Sequence, residues 1–191
     1  TGCAGAAGGM SEPGSARVTR TFLPSFHCTY TGSSRKAYPN NKVIWQGVYG
    51  QYRAGYNNFN TGTLWFDEAS AALAGKTIHQ ATLSLRRSNG GSSAARNVYL
   101  GAVALRQAEW DSTYRPAFTA PSALPAYPAG QLSRECEGVY DITSLMAAVQ
   151  QGYGIGVYEP CAAYSGSYSP HYTMFYGLGS DFVPVLTVTY S

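Results

Sequence analysis

Charged residues are scarce in this sequence: they make up 12% of the chain, about half the share usual in soluble proteins. The net charge of +3 is small, and the basic residues cluster only as the pairs Arg35-Lys36 and Arg86-Arg87. A nucleic-acid-binding surface needs a basic stripe, so nucleic acid is not an expected partner. Apolar runs all fall short of the roughly 18 residues that a membrane span requires, so no span is expected.

The sequence also lacks the common catalytic and metal-binding motifs. His27, His79 and His171 are scattered without HExxH or another metal-ligand spacing, and neither a GxSxG nor a phosphate-binding loop occurs. Asp and Glu number only 10, and Asp67 and Asp141 are best explained as residues that bond a turn and a helix start. We therefore expect a protein without enzymatic activity, metal or cofactor.

Tyrosine and glycine are abundant instead, with 16 and 22 copies. Disordered chains combine many charges with few aromatic residues, so this composition predicts a folded domain. A surface poor in charge but rich in Tyr, Ser, Asn and Gly is typical of a protein that is covered by a partner or adheres to one. We expect copies of the same chain or a polysaccharide as that partner.

The four cysteines, Cys3, Cys28, Cys136 and Cys161, are even in number and lack a CxxC or metal-type spacing. They are either buried free thiols of a cytosolic protein or disulfides of a protein in an oxidising compartment. The composition favours the second interpretation and an extracellular location, namely secreted, cell-surface or virion. Cys136 and Cys161 are the preferred internal pair, and Cys28 is an alternative partner for either.

The hydrophobic pattern predicts β-strands through most of the chain. Ala81, Leu83 and Leu85 alternate with polar residues, and the run 98–105 is apolar on both faces, as in the middle of a packed sheet. A loop with Asn and two Gly separates the two runs, which predicts one long β-hairpin within Lys76–Leu105.

One segment has the period of a helix. Its apolar residues recur at i, i+3, i+4 and i+7, and the segment starts after Asp141 and stops before Gly152. This pattern predicts a helix over 141–151 with Asp141 as its N-cap. Its apolar face comprises Ile142, Leu145, Met146 and Val149.

The sequence predicts an all-β fold, namely a jelly-roll-type β-sandwich over residues 17–191. This prediction rests on the many short strands, on the turns rich in Gly, Ser and Pro, and on the single short α-helix. Residues 1–16 are predicted to form a flexible N-terminal arm or linker. The hairpin, the helix and the last strand should share one core, with these side chains buried: Leu83, Leu85, Leu100, Ile142, Leu145, Leu186 and Val188.

Several short motifs also occur in a characteristic order. They are Leu64-Trp65-Phe66-Asp67, then Gly75-Lys76-Thr77-Ile78 followed by Ala81-Thr82-Leu83 and Leu85, then Asp141-Ile142-Thr143, and a last run from Pro184 to Tyr190. This order resembles the DNRLRE-type, carbohydrate-binding-module-like β-sandwich domains of secreted, surface and phage tail proteins. The resemblance implies a β-sandwich and, because some such modules bind glycans, a glycan as a possible ligand.

An aromatic and polar segment follows Val43. Aromatic rings alternate there with amides and a guanidinium, and the same character returns in residues 162–174. Such a segment binds glycans, forms a protein interface, or contributes Trp45 and Phe59 to the core; the sequence leaves all three open. The candidate binding residues are Trp45, Tyr49, Tyr52, Arg53, Tyr56, Asn57 and Asn58, interleaved with Gln46 and Asn60.

Two functions follow from these features. The first is a non-catalytic extracellular subunit of a fibre, appendage or phage tail, which self-assembles or attaches to a carrier through its N-terminal arm and Tyr-rich surface. In that assembly Cys3 would form a covalent tie and Met10 would pack in a pocket of a neighbour. The alternative is a carbohydrate-binding module. The arm favours the first, because an isolated sugar binder has no use for it.

Overall fold

The structure, a computed structural model, describes residues 16–31, 36–39, 42–48, 59–110, 127–157 and 171–191. These residues are mostly in β-strands, and all strand pairs are antiparallel, which confirms the predicted all-β, sandwich-like fold. The strands are β1 Val18–Phe22, β2 Phe26–Thr31, β3 Lys36–Pro39, β4 Val43–Val48, β5 Phe59–Trp65, β6 Ile78–Gly91, β7 Arg96–Arg106, β8 Tyr127–Leu132, β9 Glu137–Asp141, β10 Tyr153–Val157, β11 His171–Tyr176 and β12 Val185–Tyr190. The α-helices are α1 Asp67–Leu73 and α2 Met146–Gln150.

The strands form one strongly curled sheet with β6 at its turning point. The first half of β6 pairs with β12 and β9, and β1 adds to the far side of β12. The last residues of β6 pair with β11, and the sheet continues through β4, β5, β10, β7 and β8, with β2 and β3 added beside β5. The long strand β6 therefore belongs to both halves of the fold.

The predicted β6–β7 hairpin is wrong. Both strands exist, but β6 pairs with β9, β11 and β12, whereas β7 pairs with β10 and β8. Both edges of β6 are occupied by strands from the C-terminal third of the chain. In addition, β6 runs on to Gly91, past the predicted loop start at Ser88, because Gly91 pairs with Thr173 of β11. The connection from Ser92 to Ala95 therefore crosses between parts of the sheet.

The prediction of a single short helix is also corrected. The described residues contain two α-helices, and the segment predicted as a helix over 141–151 is a 3₁₀ turn, Thr143–Leu145, followed by the short α2. Asp141 is the last residue of β9 rather than an N-cap. Its carboxylate accepts hydrogen bonds from the N–H and the hydroxyl of Thr143 at 2.9 and 2.6 Å, which turn the chain out of the strand. Gly152, with φ +83°, ends the helical segment as predicted.

The predicted core is confirmed, because all seven of its side chains are at most 2% exposed. A second, smaller cluster lies on the opposite face of the same strands: Leu64 points into the main core while Trp65 joins the second cluster. The Trp65 indole N–H donates a hydrogen bond to the Leu105 carbonyl at 2.8 Å. The second cluster contains Cys28, Tyr30, Trp65, Val103 and Leu105.

One buried amide joins two strands that are not neighbours in the sheet. The side chain of Gln46 on β4 donates to the Asn97 carbonyl at 2.8 Å and accepts from the Tyr99 N–H at 3.2 Å. This side chain satisfies one acceptor and one donor of the β7 backbone, groups that would otherwise be costly to bury. It therefore holds β4 and β7 together across the interior.

A buried histidine makes the stability of this fold depend on pH. His27 on β2 is fully buried, and its Nε2 accepts a hydrogen bond from the Leu178 N–H at 2.9 Å, which requires the neutral ring. Burial lowers the pKa of His27 to about 4, from an ordinary value of 6.5. The unfolded chain therefore binds a proton before the folded protein does. The stability due to the neutral ring is complete above about pH 6.5 and is lost as the pH falls towards 4.

We expect urea unfolding to give a free energy about 2 kcal/mol lower near pH 5 than near pH 7.5, at about 1.4 kcal/mol per pH unit below 6.5. His27→Gln should remove most of this dependence, whereas His79→Gln should keep it. A full pH dependence in His27→Gln would assign the effect to other groups.

Candidate functional site

The pairing of β4 with β11 brings together the two aromatic segments of the sequence. Met174 lies opposite Trp45, and Tyr172 lies opposite Gly47. The rings of Trp45 and Tyr172 stack with centroids 5.3 Å apart and planes 19° from parallel. A residue from each segment thus contributes to one stacked pair on the sheet surface.

This stacked pair begins a row of large side chains on the outer face of β11. Tyr172, Met174 and Tyr176 are half-buried, while Thr173 and Phe175 between them are fully buried on the inner face. Phe182 continues the row, since its ring centroid is 5.1 Å from that of Tyr176. We call Trp45, Tyr172, Tyr176 and Phe182, with Met174 between them, the aromatic row.

Polar and charged groups surround the far end of the aromatic row. The Tyr176 hydroxyl donates to the Glu135 carboxylate at 3.1 Å, which raises the pKa of that hydroxyl. The Arg86 guanidinium lies 4.0 Å above the Phe182 ring and 3.8 Å from Glu135. This end of the row therefore offers hydrogen-bonding groups beside the side chain of Phe182, which is 40% exposed.

The other predicted binding residues, Tyr49, Tyr52, Arg53, Tyr56, Asn57 and Asn58, lie outside the described residues. Their attachment points are described: β4 ends at Val48 and β5 starts at Phe59, and these two residues are paired. Val48 is also paired with His171, where β11 starts. Both aromatic segments are therefore attached to the sheet at the same end, where Trp45 and Tyr172 stack.

Two amides that interleave with the candidate residues point away from this surface. Gln46 is fully buried in its bridge to β7, and Asn60 is 3% exposed and donates to the Gly47 carbonyl at 3.0 Å. Strand alternation explains both, because neighbours of outward-facing residues face inward. Trp45 itself is half-buried and belongs to neither core cluster, so the interpretation of Trp45 as a core residue is not supported.

The two described cysteines are both free thiols. Cys28 is fully buried in the second cluster, where burial raises the pKa of its thiol to about 12, so it is unreactive. Cys136 is exposed. Because Cys28 and Cys136 are free, the structure does not support the predicted Cys136–Cys161 pair or Cys28 as the alternative partner. Cys3 and Cys161, like Met10 and the rest of the predicted arm, lie outside the described residues, so a disulfide between these two cysteines or with a neighbouring chain stays a prediction.

Sequence reasoning missed Tyr176, Phe182 and Arg86 as members of the surface. The signal was present, because Tyr172, Met174 and Tyr176 alternate with buried residues in a strand that was predicted. Their partners Arg86 and Phe182 are far apart in sequence and meet only through β6–β11 pairing.

In the described part of the chain, three or more possible metal ligands do not come together, and no helix is long and apolar enough to cross a membrane.

No family model matches the chain, and no curated protein matches it. The resemblance to DNRLRE-type modules therefore stays a prediction based on short motifs.

Proposed function

We propose that this protein is a non-catalytic extracellular module that binds a polysaccharide along the aromatic row. The observation that supports the proposal best is the stacked Trp45–Tyr172 pair, which is followed on β11 by a second half-buried ring, that of Tyr176. Rings in such a line offer apolar contact to sugar rings while neighbouring polar groups bond hydroxyls.

The dimensions of the row suit a short stretch of glycan. Tyr172 and Tyr176 are four positions apart along the strand, or roughly 13 Å, which is about the length of a di- or trisaccharide. Because both residues belong to a central strand that pairs on both edges, their positions are fixed before binding. Such preorganisation reduces the entropy lost on association.

Substituting the row should weaken binding without unfolding the protein. We expect Tyr172→Ala and Tyr176→Ala each to lower affinity for a bound polysaccharide about tenfold, since each removes one stacking surface worth roughly 1–2 kcal/mol. Affinity electrophoresis in gels that contain soluble neutral or acidic polysaccharides, followed by calorimetry on the retarding polymer, measures this effect.

Tyr153→Ala provides the matched control. Tyr153 is also a half-buried tyrosine beside an arginine, with the Arg106 guanidinium 4.7 Å from its ring, but it lies on β10. Its substitution should leave retardation unchanged. Equal losses in all three variants, or no retardation of the parent protein by any polymer, would contradict the proposal.

Self-assembly is the second candidate function. The observation in its favour is β1, an edge strand in which Val18, Thr19, Arg20 and Thr21 are all exposed, followed by Leu23 at 56% exposure. An exposed edge with apolar side chains can pair with another chain. Size-exclusion chromatography of the same samples tests it: defined oligomers that dissociate after deletion of residues 1–14 support assembly, and a monomer argues against it.

A further inference from the structure

A cluster of arginines surrounds the connection between β6 and β7. The guanidinium of Arg87 is fully buried and donates to the carbonyl oxygens of Ala94 at 2.8 Å, of Leu132 at 2.5 Å, and of Ser92. Exposed Arg134 donates to the same Ser92 carbonyl at 3.0 Å and to that of Gly91. Two guanidinium groups therefore share one carbonyl acceptor.

In the described part of the chain, neither Arg87 nor Arg134 forms an ion pair with a carboxylate. Burial lowers the pKa of Arg87, and the positive charges of Arg134 and Arg96 lower that pKa further. The two nearest glutamates in sequence are engaged elsewhere: Glu135 with Arg86 and the Tyr176 hydroxyl, and Glu137 with the Ser84 hydroxyl.

One polar atom in the cluster is also left without a partner. The Nε of Arg87 is buried and makes no hydrogen bond to any described residue. Carbonyl dipoles compensate a buried guanidinium less well than a carboxylate does, so a bound anion would relieve an existing electrostatic cost. The only exposed guanidinium among the donors to Ser92 is that of Arg134, which could contact such an anion directly.

The cluster lies beside the start of the aromatic row. The Ser92 N–H donates to the Tyr172 carbonyl at 2.9 Å, and Gly91 pairs with Thr173. Arg134, whose guanidinium donates to the Gly91 and Ser92 carbonyls, is thus adjacent to β11, the strand on which Tyr172 and Tyr176 lie. A sugar stacked near Tyr172 would place its substituents close to the uncompensated positive charge.

We infer that the polysaccharide bound by the aromatic row is acidic, and that its carboxylate or sulfate groups interact with Arg134 at the edge of the arginine cluster. This inference rests on the proposed function and adds the chemical class of the ligand. Arg87 contributes long-range positive potential, while Arg134 makes the contact.

The test compares polymers that differ only in charge: polygalacturonate with its methyl ester, and a sulfated galactan with its desulfated form. We expect the parent protein to bind each acidic polymer about tenfold more tightly than its neutral counterpart near 50 mM NaCl, and to lose most of that preference near 300 mM. Arg134→Gln should abolish the preference while neutral binding stays unchanged.

Arg106→Gln is the control, because Arg106 is an exposed arginine paired with Glu109 at 3.4 Å and away from the row. It should keep the full preference for acidic polymers. Equal binding of acidic and neutral polymers by the parent, or a full preference in Arg134→Gln, would overturn the inference and leave the proposed function standing. Failure to bind any polymer would overturn both.

Discussion

Replacing Arg87 with methionine is expected to lower the free energy of unfolding by about 3–5 kcal/mol. Methionine keeps much of the side-chain volume but donates no hydrogen bonds, so the carbonyls of Ala94 and Leu132 lose this donor, whereas the Ser92 carbonyl keeps the bond from Arg134. Each buried acceptor left without a partner costs roughly 1–3 kcal/mol, which exceeds the gain from removing a buried charge. Urea unfolding followed by circular dichroism measures the change.

Arg86→Met is the matched control, because Arg86 is the preceding residue on β6 and faces the opposite side of the strand. Its ion pair with Glu135 spans 3.8 Å at partly exposed side chains, and its contact with Phe182 is on the surface. We expect a loss of about 1 kcal/mol or less. Equal losses in the two variants would show that the buried carbonyl bonds of Arg87 contribute little.

The second large effect is expected at Leu83. Leu83→Ala should lower the free energy of unfolding by about 2–5 kcal/mol, because this fully buried side chain lies on β6 between β12 and β9, opposite Leu186 and Tyr140, and its removal leaves a cavity. The control is Val139→Ala on the adjoining strand β9. Val139 is 64% exposed, so its loss should be within about 0.5 kcal/mol. A Leu83→Ala loss below about 1 kcal/mol would contradict its central position in the core.

The pattern of residues predicted the strands and the core better than it predicted their partners. Alternation in β6 and β12 identified the inward faces, because burial of one face is a local property of a strand. The hairpin failed because pairing is not local: Asn and Gly in the connection suit a tight turn, but β6 already has partners on both edges. The helix α2, Met146–Gln150, was predicted too long, since the same apolar period also runs through the preceding 3₁₀ turn, Thr143–Leu145.

The candidate site was predicted only in part, because its members also come together through strand pairing, which is not a local property of the sequence. Trp45 and the second aromatic segment were identified separately by composition, and the register of β4 with β11 joined them. The buried amides of Gln46 and Asn60 look like ligand-binding groups in a sequence, because nothing local distinguishes an inward amide from an outward one. The arginine cluster was not foreseen, since Arg87 and Arg134 meet at the Ser92 carbonyl only in the folded chain.

The position of β6 has a consequence for protein synthesis. Its partners β9, β11 and β12 are all translated after it, and the last of them ends at Tyr190. While the ribosome makes the intervening residues, the strand with Leu83 and Leu85 has no edge to pair with and no sheet to cover its apolar face. Folding that depends on such distant pairing is slow and exposes strands that aggregate. We expect nascent chains that stop before Val185 to remain unfolded and to require chaperones, because they lack β12, which pairs with the first half of β6 and with β1.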